Sequence, residues 1–76
     1  MDNELMVIQL EQDFNELAEQ YDSAADNEML WALGAPDAEG TRMHTQNMVH
    51  NREMAKLYRT IAHAASALLD LYMEDN

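Results

Sequence analysis

The sequence predicts an all-α fold, a helical hairpin or small three-helix bundle, from three observations. Apolar residues make up 47% of the 76-residue chain, and they recur at steps of three and four, the helical period. The one proline and two glycines all fall in "GAPDAEG", residues 34–40, so a single breaker cluster divides one domain into two arms. The second arm carries two apolar stripes rather than one, which calls for neighbours on two sides.

The first arm, about residues 3–33, starts where Asp2 or Asn3 can cap a helix. Val7, Leu10, Phe14, Leu17, Tyr21 and Ala24 form its apolar stripe. The signal weakens over "DSAADN", residues 22–27, where Ser23 and Asp26 compete for the backbone and can cap a fresh turn. The arm is therefore either one helix to Leu33 or two helices with a bend. Gly34 is placed to end it in a left-handed conformation.

The second arm is expected to run as one long helix from Thr41, its N-cap, to about Met73. Met54, Leu57, Ile61, Ala64, Leu68 and Leu71 make one heptad stripe. Met48, Ala55, Tyr58, Ala62, Ala65, Leu69 and Tyr72 make a second beside it. Together they cover roughly 200° of the helix, about twice what one neighbour needs. An antiparallel hairpin brings Leu57 near Leu17, Ile61 near Phe14 and Ala64 near Leu10, so the first stripe is expected to pack within the chain. Leu57, Ile61 and Leu68 are then core residues, with Val7 the partner of Leu68. Either "NEMLWALG" bends back to cover the second stripe with Met29, Leu30 and Trp31, or a second copy covers it and completes a four-helix bundle as a homodimer. Met48, Arg52, Tyr58, Arg59, Leu69 and Tyr72 are the candidate residues of that second interface.

Four basic side chains face fifteen acidic ones, for a net charge of −11. All four lie between Arg42 and Arg59, and residues 1–41 have none. The hairpin register sets Arg52, Lys56 and Arg59 level with Asp22, Glu19 and Glu16. On the helical wheel Lys56 flanks the first stripe and can reach across. Arg52 and Arg59 point away from the apolar arc with His63, as a solvated face or as a stripe that orients a partner. Glu4, Glu11, Glu19, Asp22 and Asp26 fall opposite the stripe of the first arm, a ridge roughly 33 Å long. Its charge spacing is comparable with that of nucleic-acid phosphates. With Glu16, these are the candidate partner-binding residues.

Catalytic constellations are not apparent. The absence of cysteine excludes disulfides, thiolate zinc sites and cysteine nucleophiles. His44 and His50 are six apart, which does not put two ligands on one helical face, and His50 with Glu53 reverses the Glu-x-x-His order of bundle metal sites. Asn47 and His50 instead extend the first stripe as polar residues that set its register. Glu16 and Glu19 lack the second carboxylate element that a helical magnesium site needs, and "DSAADNE" lacks the glycine and terminal glutamate of a calcium loop. No catalytic, metal-binding or cofactor-binding residue is predicted. The N-terminus "MDNELMVIQL" has no basic region before an apolar run, and nothing approaches the ~20 apolar residues of a membrane span. The expectation is a cytoplasmic protein without membrane contact.

The leading functional expectation is a small acidic inhibitor of the kind phages and mobile elements encode, which acts in the host cytoplasm. It presents its acidic helix, a DNA or RNA mimic, to a basic nucleic-acid-binding host or defence protein, CRISPR effectors included, and does not bind nucleic acid itself. The alternative is a dimeric helical adaptor that binds a partner through an apolar helix face. Seven methionines suit a pliable interface where Met29, Met43 and Met48 stay exposed.

Overall fold

The computed structural model describes residues 2–74, residue 2 by its backbone only. These residues form two long helices, α1 (Asp2–Gly34) and α2 (Ala38–Glu74), paired as an antiparallel hairpin, with no strand among the described residues. At about 1.5 Å per residue α2 reaches some 55 Å, so the 59 × 14 × 11 Å extents of the molecule are set by one helix length.

No bend interrupts α1 at residues 22–27. The carboxylates that compete with a helix there are engaged elsewhere: Arg52 donates to Asp22 Oδ1 at 3.1 Å and to Asp26 Oδ1 at 2.5 Å. A side chain held by a cation across the hairpin no longer competes for nearby backbone N–H groups. Residues 27–34 accordingly stay in α1, and Met29, Leu30 and Trp31 do not fold back to make a third helix. The fold is the hairpin. Asn3 lies inside α1 rather than at its cap, and the capping role considered for Asp2 rests on a side chain outside the described residues.

The connection is only Ala35 to Asp37, shorter than the breaker cluster implies. Gly34 belongs to α1, and no described glycine has a positive φ, so the expected left-handed cap is not used. Asp37, not Thr41, caps α2: its Oδ1 accepts the Gly40 N–H at 2.7 Å, the N3 donor of the new helix. That contact explains Gly40. A Cβ there would sit 3.1 Å from Asp37 Oδ1 and 3.3 Å from the Ala35 Cβ, crowding both the capping carboxylate and the tight turn. Thr41 instead ties the two helices at the turn, donating from Oγ1 towards Ala32 O at 3.3 Å and Asp37 O at 3.1 Å.

The helices meet on faces turned by one position from those the apolar pattern suggests. On α1 the seam runs through Glu4, Val7, Glu11, Phe14, Ala18, Tyr21, Ala25 and Glu28, alternating steps of three and four, each buried or half-buried. Leu10, exposed, and Leu17 and Ala24 flank it. On α2 the seam is the second stripe, with Met48, Ala55, Tyr58, Ala62, Ala65 and Leu69 turned inward. The first stripe, expected as core, is outside: Leu57 is 51% exposed, Ile61 36% and Leu68 64%. Ile61→Ala therefore removes little from the packing between the two helices.

Small side chains decide this choice. The fully buried residues are Ala18, Ala25, Ala55 and Ala62, and no large side chain is fully buried. Alanine in the contact layers lets two helix axes approach towards the short end of the usual 8–10 Å range. Aromatic rings fill the space between them: Tyr58 stacks on Phe14 at 5.7 Å and on Tyr21 at 5.5 Å between centroids. Leu57, Ile61 and Leu68 in the same seam would hold the helices further apart.

Candidate binding surfaces

The two flanks of the seam differ in chemistry. In an antiparallel pair, the positions just before the seam on one helix face the equivalent positions on the other, as do those just after it. On the first flank Arg59 reaches Asp22 Oδ2 at 2.5 Å, while Arg52 bridges Asp22 and Asp26. Arg52 and Arg59 are thus not solvated stubs on a far face; they bind α1 to α2. Lys56, expected to reach across, is exposed. Glu11, Asn15, Arg59, Ala62, His63 and Ser66 line a shallow polar groove on this flank.

Asp22 collects both guanidiniums and titrates accordingly. Hydrogen bonds from Arg59 and then Arg52 hold its carboxyl below the ordinary aspartate value of 3.8, outweighing the opposing effect of desolvation. A lowered folded-state pKa contributes stability that is present above 3.8 and is lost as pH falls through the folded value. Arg52→Gln combined with Arg59→Gln is expected to return the Asp22 titration, followed by carboxyl NMR, towards the ordinary aspartate range. A wild-type Asp22 that already titrates in that range would disprove the bridge. Being partly exposed, the network screens with salt, and its energetic contribution is modest.

The acidic residues do not form the single outward ridge. Glu4 and Glu11 are half-buried at seam positions, Asp22 and Asp26 are held by arginines, and Glu16 and Glu19 are exposed. The ridge expectation assumes that α1 packs through Leu10, Leu17 and Ala24. Turning the helix by one position brings Glu4 and Glu11 inward. The second interface is displaced for the same reason: Met48, Tyr58 and Leu69 pack toward α1, Arg52 and Arg59 are ion-paired, and Tyr72 lines a groove with Val7, Leu68 and Leu69.

The other flank is apolar along α2, while α1 sets Asp13, Glu16 and Gln20 beside Leu17 at its edge. Leu10, Leu17 and Ala24 of α1 face the side carrying Met54, Ile61 and Leu68 of α2, with Leu57, Ala64 and Leu71 continuing outward on α2. Two grooves on this side join residues of both arms: Val7 meets Leu68, Leu69 and Tyr72 in one, with Asn3 and Glu4 at its edge, and Leu17, Gln20, Tyr21 and Ala24 meet Asn51 in the other. Eight α2 positions project here, Asn47, His50, Met54, Leu57, Ile61, Ala64, Leu68 and Leu71, and none is Asp, Glu, Lys or Arg. From Met54 to Leu71 the apolar strip runs about 26 Å. The signal for this surface was in the sequence, as the double stripe; what it lacked was which stripe faces inward.

At the turn a second apolar cluster appears. Trp31, 56% exposed, packs its ring against His44 at 5.7 Å, and Leu30, Pro36 and Gly40 complete a shallow depression. His44 Nδ1 lies 2.6 Å from Glu28 Oε2, so this histidine is anchored in the hairpin by a carboxylate and an indole. His50, by contrast, is exposed on α2. Among the described residues no three His, Asp or Glu side chains converge as a metal site would require, and no helix is long and apolar enough to cross a membrane. Comparison with protein families, with characterised proteins and with solved structures finds no match, so the functional reading rests on these surfaces.

Proposed function

We propose that this chain is a non-enzymatic helical adaptor that works by protein association through the leucine-rich flank of the hairpin. The observation that carries the reading is the contrast between flanks: charged side chains gather on one, while Leu10, Leu57, Ile61, Leu68 and Leu71 stand exposed on the other. A single exposed leucine means nothing, but a contiguous strip of them bounded by polar residues marks an interaction site. The anchors lie on continuous helices, so a partner meets a surface already formed. The dimeric, four-helix form of the adaptor uses this same flank.

The net charge of −11 supports a second reading, in which exposed carboxylates such as Glu16 and Glu19 engage a basic nucleic-acid-binding protein as a nucleic-acid mimic. Salt separates the two. Association through the apolar flank is expected to hold or tighten as salt rises, whereas an acidic mimic weakens steeply. Purified protein immobilised for capture from a cell extract, with binding followed across a salt series, makes the comparison. Leu57→Gln with Leu71→Gln should abolish an apolar association and spare an acidic one; Glu16→Lys with Glu19→Lys should do the reverse. The mimic reading is then judged on residues that face solvent. Reversing Glu11 or Asp22 would disturb the seam or the arginine bridge and confuse binding with folding.

A further inference from the structure

We infer that the occupant of the apolar flank is a second copy of this chain, two hairpins packing side by side into a four-helix bundle. The inference rests on the reading of that flank as an association surface, and it names the partner. Area is the first argument. A compact 8.7 kDa monomer exposes about 4,700 Å²; this chain exposes 5720 Å², about 1,000 Å² more. A protein interface of standard size takes roughly 800 Å² from each partner, so one such contact returns the hairpin to the exposure of an ordinary globular protein. The radius of gyration agrees, at 17.2 Å against about 11 Å for a compact chain of this length.

The intrachain core is the second argument. Its fully buried members are alanines, which remove little apolar surface from water, while leucines and an isoleucine of the same helix are left outside. In a four-helix bundle each helix has two neighbours and needs two apolar stripes side by side. Helix α2 has both: the alanine and tyrosine stripe is filled by α1, and the leucine and isoleucine stripe is unfilled. Residues Met54, Leu57, Ile61, Ala64, Leu68 and Leu71 are spaced three, four, three, four, three, the same in either direction, a spacing compatible with an antiparallel copy of the stripe across a two-fold axis.

Charge is compatible with a second copy because the contact surface of α2 carries none. On α1 the acids nearest the contact are Asp13 and Glu16, beside Leu17; both are exposed and stay at the rim, where Asp13 accepts a hydrogen bond from Gln9 Nε2 at 2.8 Å. Two chains of −11 repel at long range, and salt screens that repulsion. Self-association should therefore strengthen with salt.

Sedimentation equilibrium of the full chain over a wide concentration range tests the inference. The expected mass is twice 8.7 kDa, with association stronger at high than at low salt. Ile61→Glu with Leu68→Glu should raise the dissociation constant at least about 100-fold and leave the helical circular dichroism signal of the hairpin in place, because both side chains lie outside the seam. Should that variant lose helix, Leu57→Gln with Leu71→Gln serves the same comparison with a gentler change. A wild-type chain that stays monomeric throughout overturns the second copy as occupant, and leaves the flank as an association surface to the capture experiment. A dimer that survives both double variants overturns the assignment of the flank itself.

Discussion

Tyr58→Ala is expected to destabilise the hairpin by about 3 kcal/mol, within the range for removal of a packed aromatic side chain. The Tyr58 ring stacks on two rings of the opposite helix, Phe14 and Tyr21, at centroid distances in the favourable range for aromatic pairs. The fully buried residues around it are alanines, too short to reach into the gap, so much of the cavity component of the cost is retained. A small domain has a total stability near the low end of about 5–15 kcal/mol, which makes this a majority share. Thermal unfolding followed by circular dichroism should show a midpoint roughly 12–24 °C lower, whereas Tyr58→Phe, which keeps the stack, should lie close to wild type. Equal midpoints for Tyr58→Ala and wild type would show that the aromatic cluster does not hold the arms together.

Much of this architecture was legible in the sequence, and what was missed has one cause. Two long helices, a single break near Pro36 and an antiparallel register all follow from period and breaker residues. The level of the pairing follows for Arg52, which does face Asp22 as a closure near residue 37 requires, whereas Arg59 also reaches Asp22 rather than Glu16. The rotation of the helices about their axes did not follow. Helical periodicity gives two adjacent stripes on α2, and ranking them by side-chain size selects Leu57, Ile61 and Leu68 for the core. Size is the wrong criterion where close approach of two helices decides, because alanine layers with interleaved aromatic rings pack two axes tightly and large aliphatic residues suit a second layer.

Charge held the missing information. A seam must place its flanking residues opposite complementary partners. Turning α1 onto Ala18 and Ala25, and α2 onto Ala55 and Ala62, sets Arg52 and Arg59 against Asp22 and Asp26; the leucine seam leaves those two arginines pointing at water. The clustering of every cation between residues 42 and 59 thus has a structural account for Arg52 and Arg59: they are the counterions of Asp22 and Asp26 in "DSAADN", and their pairing favours this rotation of α2. The same turn explains why the candidate acidic ridge is dispersed, since its members at positions 4 and 11 move to the seam.

Ala55→Leu and Ala62→Leu are expected to be as damaging, for the opposite reason. Both alanines are buried between the helices, at 0% and 2% exposure, where an added isopropyl group must push against the opposite helix. Overpacking a filled layer costs about 1–3 kcal/mol per site, so the double variant should approach the whole stability of the hairpin. The damage should also reach the flank: pushing the axes apart lengthens the path from Arg52 and Arg59 to Asp22, so the Asp22 carboxyl should titrate nearer its ordinary value in whatever folded population remains. Leu57→Ala and Leu68→Ala change as many side-chain atoms yet sit outside the seam, and should weaken association while leaving the hairpin close to wild type at concentrations where the chain is monomeric. Urea unfolding at low protein concentration, with the two pairs of variants side by side, measures the contrast. If the leucine truncations prove the more damaging under those conditions, the helices meet through the leucine stripe after all, and the alanine seam is wrong.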